Sequence, residues 1–134
     1  MFRSKNVIPY LLFIIYGITV CSCTYDNLES HPCANVPDII SFSVDIVPIL
    51  NTNCSTLLCH SGSEPAANLD LEADKAYNSL SKEGSGYINT ANPTHSVVYS
   101  QLFSTSKPMP PDGKLDPCTT SLILKWLEQG ARNN

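Results

Sequence analysis

The clearest hydrophobic pattern lies near the end of the chain, where apolar residues recur at the spacing of an α-helix. Asp116 can cap this helix, Pro117 suits its first position and Gly130 can end it. The apolar stripe consists of Leu122, Ile123, Trp126 and Leu127. The pattern therefore predicts a terminal helix that packs one face against a core.

Three shorter helices are predicted upstream of it. In the first, Ser41 or Ser43 caps the helix and Pro48 lies in the first turn. Its buried face is Val44, Val47, Ile49 and Leu50. The second is predicted from the helical spacing of Leu69, Ala73, Ala76, Tyr77 and Leu80. The third covers residues 96–103, with Val98 and Leu102 on one face. Residues 104–113 contain three prolines and a glycine, which predicts a loop. The predicted fold class is all-α, with about four short helices and long loops.

The first 22 residues have the pattern of an export signal. Arg3 and Lys5 precede an apolar run at residues 7–20. This run is shorter than the roughly 20 residues that a transmembrane helix needs. Cys23 follows this run and the small Ser22, which resembles the lipobox of bacterial lipoproteins. We expect residues 1–22 to be a lipoprotein signal peptide and Cys23 to carry the lipid. An ordinary secretory signal, which would leave a soluble periplasmic protein, is the alternative.

Residues 23–41 are polar and without periodicity, so we expect a flexible, lipid-anchored tether ahead of a domain at 42–134. The full chain has a formal charge of −4. Cleavage before Cys23 removes two basic and no acidic residues, so the mature chain is more acidic still. No basic stripe is present to bind phosphates, which argues against a nucleic-acid partner.

The strongest chemical signal is a pair of cysteines with an adjacent histidine. Cys54 and Cys59 are separated by four residues, and His60 follows directly. This is the layout of a c-type haem attachment site, except that the usual spacer has two residues. Two thiols add to the haem vinyl groups and the histidine binds the iron. The longer spacer must bulge outward, which would bring Leu57 or Leu58 close to the haem edge.

Several further segments, taken with this site, resemble the cytochrome c family, and small bacterial cytochrome-c-like domains in particular. They are DIVPIL at 45–50, NPTHSVVY at 92–99, KPMPPDGKL at 107–115 and LILKWLEQGA at 122–131. The resemblance spans about residues 42–131. It implies a cytochrome c-like domain around one covalently attached haem c, with Cys54 and Cys59 as thioether links. It also implies His60 as the proximal and Met109 as the distal iron ligand.

Other interpretations of these residues remain open at this point. Cys54 and Cys59 could form a disulfide beside an incidental histidine. Met109 could fill a gap in the core, since lone methionines often do. His95 is the second choice for the distal iron ligand, whereas His31 lies in the tether.

Cys33 and Cys118 are left over once the other cysteines are assigned, and we expect them to form a disulfide that pins the N-terminal segment to the core. The resulting prediction is a single-haem electron carrier of the bacterial cell envelope, without enzymatic activity or a small-molecule substrate. It would meet redox proteins through weak, transient contacts and the membrane through its lipid. Two alternatives are a haem enzyme or sensor with a displaceable Met109, and a haem-free, disulfide-bridged lipoprotein acting as a binding module.

Overall fold

Short helices joined by long ordered segments make up the part of the chain that the computed structural model describes, namely Cys33 and residues 36–134. A π-helical turn, Phe42–Ile46, runs directly into helix α1, Val47–Asn53. Helices α2, α3 and α4 are Ala76–Leu80, Val97–Ser100 and Pro117–Glu128. Single 3₁₀ turns are found at Ala66–Asn68, Pro93–His95 and Gln101–Phe103. Within these described residues no strand occurs, and the all-α prediction is confirmed.

Ser41, one of the two predicted caps, is the N-cap of the first helical segment. The Ser41 hydroxyl accepts a hydrogen bond from the Val44 N–H at 3.3 Å, and Asp45 accepts one from the Ser41 N–H at 2.7 Å. The buried face is Phe42, Ile46 and Leu50, which are four residues apart. Val44 was expected in the core, but 71% of it is exposed. Val44 is two residues from both Phe42 and Ile46, which at about 100° per residue places it on the opposite face of the helical segment.

Helix α4 forms as its sequence signals predict. The Asp116 carboxylate accepts hydrogen bonds from the N–H groups of Cys118 and Thr119, and Pro117 occupies the first turn. Its buried residues are Thr120, Ile123, Trp126 and Leu127, whereas Leu122 is only partly buried. The Gly130 that follows adopts a φ of 91°, a left-handed conformation that costs glycine little.

An aromatic cluster holds the first, second and last helical segments together. The Phe42 ring lies 5.2 Å from Trp126 and 5.2 Å from Tyr77, measured between ring centroids. Trp126 is almost fully buried, and its indole N–H donates to the Arg132 carbonyl at 2.9 Å. The polar atom of this large side chain is thus satisfied inside the core, as burial requires.

Helix α2 is shorter than its apolar pattern suggests. Leu69 lies before the helix in a non-helical segment, and Ala73 is exposed. Asp70 accepts a hydrogen bond from the Glu72 N–H at 3.0 Å, and Lys75 forms ion pairs with both carboxylates. These local interactions hold residues 70–75 in a turn, which delays the start of the helix.

The segment preceding Phe42 lies along helix α4 from residue 36 onward. Gln129 donates to the Asp38 carbonyl at 2.7 Å and accepts from the Ile40 N–H at 2.9 Å, and Ile40 is buried. Cys33 is bonded to Cys118 at the other end of α4, which is the pairing expected from the sequence. The folded part of the chain therefore extends N-terminal to residue 42, into the region expected to be a tether.

The predicted signal peptide at 1–22 and the predicted lipid-bearing Cys23 lie outside the described residues. His31 also lies outside them. None of the helices at positions 36–134 has the length and apolar character needed to cross a membrane.

Candidate functional site

A cavity of about 420 Å³ opens between α1, α3, α4 and the loops that connect them. This volume lies in the range typical of pockets for small organic ligands and cofactors. Apolar side chains form most of its wall, among them Leu50, Leu69, Leu71, Val98, Leu102 and Ile123. The cavity is therefore an apolar pocket that can exclude water from a ligand.

Cys54, Cys59, His60 and Met109, the four residues predicted to hold the cofactor, all line this one cavity. His95 is exposed and does not line it, and neither do Cys33 and Cys118. A second cavity, of about 300 Å³, lies beside Trp126 and Arg132 and contains none of the predicted site residues. The fold thus brings together residues that are far apart in the sequence.

The His60 imidazole is held by two backbone carbonyl groups. Its Nδ1 atom lies 3.0 Å from the Ala66 oxygen and 3.2 Å from the Leu69 oxygen. A carbonyl oxygen can only accept a hydrogen bond, so in the neutral imidazole the hydrogen is on Nδ1. Nε2 then keeps its lone pair for a ligand. A histidine that binds a metal is commonly oriented in this way, by a hydrogen bond from its other ring nitrogen.

The two cysteines of the site are both free thiols, and both are partly buried. Burial, and after it the neighbouring Cys59, raises the pKa of the Cys54 thiol to about 11. Cys54 is therefore a protonated thiol at neutral pH. The alternative of a Cys54–Cys59 disulfide is not what this structure contains.

The four residues between the cysteines form an outward bulge. The Cys54 N–H donates to the last turn of α1 at the Leu50 carbonyl, 2.8 Å away, and the His60 N–H donates to the Cys54 carbonyl at 3.1 Å. Leu57 and Leu58 are 85% and 91% exposed, and Leu58 adopts a φ of 69°. Leu58 nevertheless forms part of the cavity wall. The longer spacer thus leaves Cys59 and His60 at the cavity and brings Leu58, but not Leu57, to its wall.

Met109 approaches the cavity from the proline-rich loop that follows α3. Its backbone N–H donates to the Gln101 carbonyl at 3.2 Å, which ties the loop to the 3₁₀ turn after α3. The side chain is 38% exposed and lines the cavity together with Pro110 and Pro111. Met109 therefore lies at the exposed edge of the pocket and does not fill a gap in the main core.

A metal ion held by protein side chains alone needs several ligands that converge on one point. Nowhere at 33 or 36–134 do three His, Cys, Asp or Glu side chains converge closely enough to hold a metal ion. Cys54, Cys59 and His60 share a cavity wall without meeting at one point.

Sequence reasoning missed the residues that support His60. Ala66 and Leu69 act through backbone carbonyls, which no sequence pattern identifies. Tyr87 also lines the cavity, and its hydroxyl donates to the Ala67 carbonyl at 3.3 Å. Its place after two glycine-containing turns gave no signal of this role.

Comparisons with known proteins found no match to this chain among protein-family models, curated proteins or solved structures. The site is thus defined by its own residues and their geometry.

Proposed function

We propose that this chain is a small c-type cytochrome that holds one covalently attached haem and carries single electrons, without enzymatic activity of its own. The observation that carries the proposal is that Cys54, Cys59, His60 and Met109 all line one apolar cavity. The proposed cytochrome c-like fold is also consistent with short helices and long loops arranged around that cavity.

The residues present fit this cofactor. Two free thiols are available for thioether bonds, and the Nε2 lone pair of His60 is available for iron because Nδ1 is engaged by two carbonyls. Met109 offers a neutral thioether sulfur. A haem held by these groups would supply an iron that changes valence by one electron.

Each part of the chain then has a defined task. Cys54 and Cys59 would hold the cofactor covalently, and the Ala66 and Leu69 carbonyls would orient the His60 ring so that Nε2 could bind the iron. A methionine ligand and an apolar wall both favour the ferrous state, so the reduction potential is raised relative to a second histidine ligand. Little would need to move during electron transfer, because both ligands would stay bound.

The proposed partners and location follow from the sequence. An acidic surface suits redox proteins with a positive docking patch, through weak and transient contacts. The signal at 1–22 would direct export and then be removed, and the lipid on Cys23 would hold the mature protein at a membrane of the bacterial cell envelope.

Mass spectrometry tests the proposal on mature protein produced together with a haem-attachment system. We expect a mass increase of one haem that survives denaturation, and its loss in Cys54→Ser/Cys59→Ser. His95→Ala is the matched control, which should keep the haem because His95 lies outside the cavity. Unmodified protein with a reducible Cys54–Cys59 disulfide would contradict the proposal and favour a haem-free binding module.

Carbon monoxide separates the carrier from a haem enzyme or sensor. With Met109 bound, reduced wild-type protein should not bind carbon monoxide readily. Ready binding by the wild type would indicate that Met109 is displaced, and would favour the sensor or enzyme.

A further inference from the structure

The turn that supports His60 has an unusual backbone conformation. Within the 3₁₀ turn Ala66–Asn68, Ala67 has a φ of 57° and Asn68 a φ of 53°. Asparagine tolerates this left-handed region, whereas for alanine it is unfavourable. A conformation of this kind persists only where surrounding contacts maintain it.

This turn and the residue that follows it supply both carbonyl acceptors for the His60 ring. The carbonyl acceptors belong to Ala66 and Leu69, on either side of the two left-handed residues. A change in φ and ψ at Ala67 would move one carbonyl relative to the other. The geometry of the His60 hydrogen bonds therefore depends on how firmly this turn is held.

A hydrogen bond from Tyr87, another residue of the cavity wall, holds the turn. Its hydroxyl donates to the Ala67 carbonyl at 3.3 Å. Its own backbone is tied to α3, because the Val98 N–H donates to the Tyr87 carbonyl at 3.2 Å. The ring itself forms part of the cavity wall. Tyr87 thus links α3 to the strained residue of the turn.

We propose that Tyr87 is a positioning residue that fixes the Ala66–Asn68 turn and thereby sets the strength of the His60 Nδ1 hydrogen bonds. The inference rests on the proposed haem-binding function. Stronger donation from Nδ1–H makes Nε2 a better electron donor to a metal, which favours ferric iron. Loosening the turn should therefore raise the reduction potential.

The test compares two variants of the haem-loaded protein that each remove one tyrosine hydroxyl. Tyr87→Phe removes the bond to Ala67. Tyr77→Phe is the matched control, because the Tyr77 hydroxyl also donates to an alanine carbonyl, that of Ala131 at 3.1 Å, and Tyr77 does not line the cavity. Both variants lose a similar bond, but only one loses it beside the proposed site.

Two properties are measured, the reduction potential and the solvent exchange of the His60 Nδ1 proton, followed by NMR in the ferrous state. We expect a higher potential and roughly two- to tenfold faster exchange in Tyr87→Phe, the range that weakening one ordinary hydrogen bond gives. Tyr77→Phe should match the wild type in both. Adding Ala67→Gly to Tyr87→Phe should restore both values toward wild type, because glycine adopts the left-handed conformation without strain.

Equal values for Tyr87→Phe and Tyr77→Phe would overturn the positioning role while leaving haem binding intact. A potential that rises in Tyr87→Phe but is not restored by Ala67→Gly would also overturn it, since Tyr87 would then act by a route other than the turn. A wild-type protein that carries no haem would instead overturn the proposed function, and this inference with it.

Discussion

Breaking the Cys33–Cys118 bridge should cause one of the largest losses of stability available in this chain. The two cysteines are 85 residues apart in sequence. In the chain-entropy treatment, a closed loop of that length lowers the entropy of the unfolded chain by about 15 cal/mol/K, or about 4.6 kcal/mol at 25 °C. For a domain of about 100 residues this corresponds to a decrease in Tm of roughly 20 °C.

The assay is thermal unfolding of the haem-loaded protein, followed by far-UV circular dichroism, for Cys33→Ser, Cys118→Ser and the double variant. Each single variant already breaks the bridge, so the double variant should be no less stable than either single variant. The Gln129 hydrogen bonds to the N-terminal segment remain in all three. A loss below about 1 kcal/mol, or losses that add in the double variant, would refute the reasoning, because neither is compatible with a bridge that constrains the unfolded chain.

Three further results are expected. Met109→Ala should remove the far-red absorption band of sulfur-ligated ferric haem and open the iron to carbon monoxide, whereas His95→Ala should leave both properties unchanged; a retained band would exclude Met109 as a ligand. Trp126→Ala should lower the free energy of unfolding by about 3–5 kcal/mol in chemical denaturation, because it leaves a large cavity against Phe42; a loss under about 1 kcal/mol would be incompatible with this burial. Hydrogen bonds from Thr119 hold the pKa of Asp116 below its usual range. The ionised carboxylate therefore stabilises the folded state at any pH above the ordinary aspartate pKa. This contribution is lost as the pH falls through the lowered pKa of the folded state. When the pH is lowered through the acidic range, the Tm of Asp116→Asn should fall less than that of the wild type. Identical profiles of Tm against pH for the two proteins would count against the role of Asp116 as a cap.

Features set by local sequence could be predicted. Helix α4 has a cap, a proline at its start, an apolar stripe and a terminating glycine, all within fifteen residues. The proline-rich loop could likewise be recognised as non-helical. These signals act over a few residues, so they are largely independent of the rest of the fold.

The exact buried face of the first helical segment, the start of α2 and the backbone groups of the site could not be predicted. Val44 lies on the face opposite Phe42 and Ile46, and the turn at Asp70 shortens α2. The four proposed cofactor-binding residues could be identified because their side chains carry the chemistry. The two carbonyls that orient His60 are backbone groups, and no sequence pattern predicts the left-handed turn that positions them.

The most direct test of the central claim is the visible absorption spectrum of the purified mature protein, oxidised and then reduced, after production in a host that attaches haem. The proposed structure of the site predicts the sharp reduced bands of a low-spin c-type haem, together with the far-red band of methionine ligation in the oxidised protein. A spectrum without haem bands, from a host that loads a conventional c-type cytochrome made in parallel, would contradict the claim.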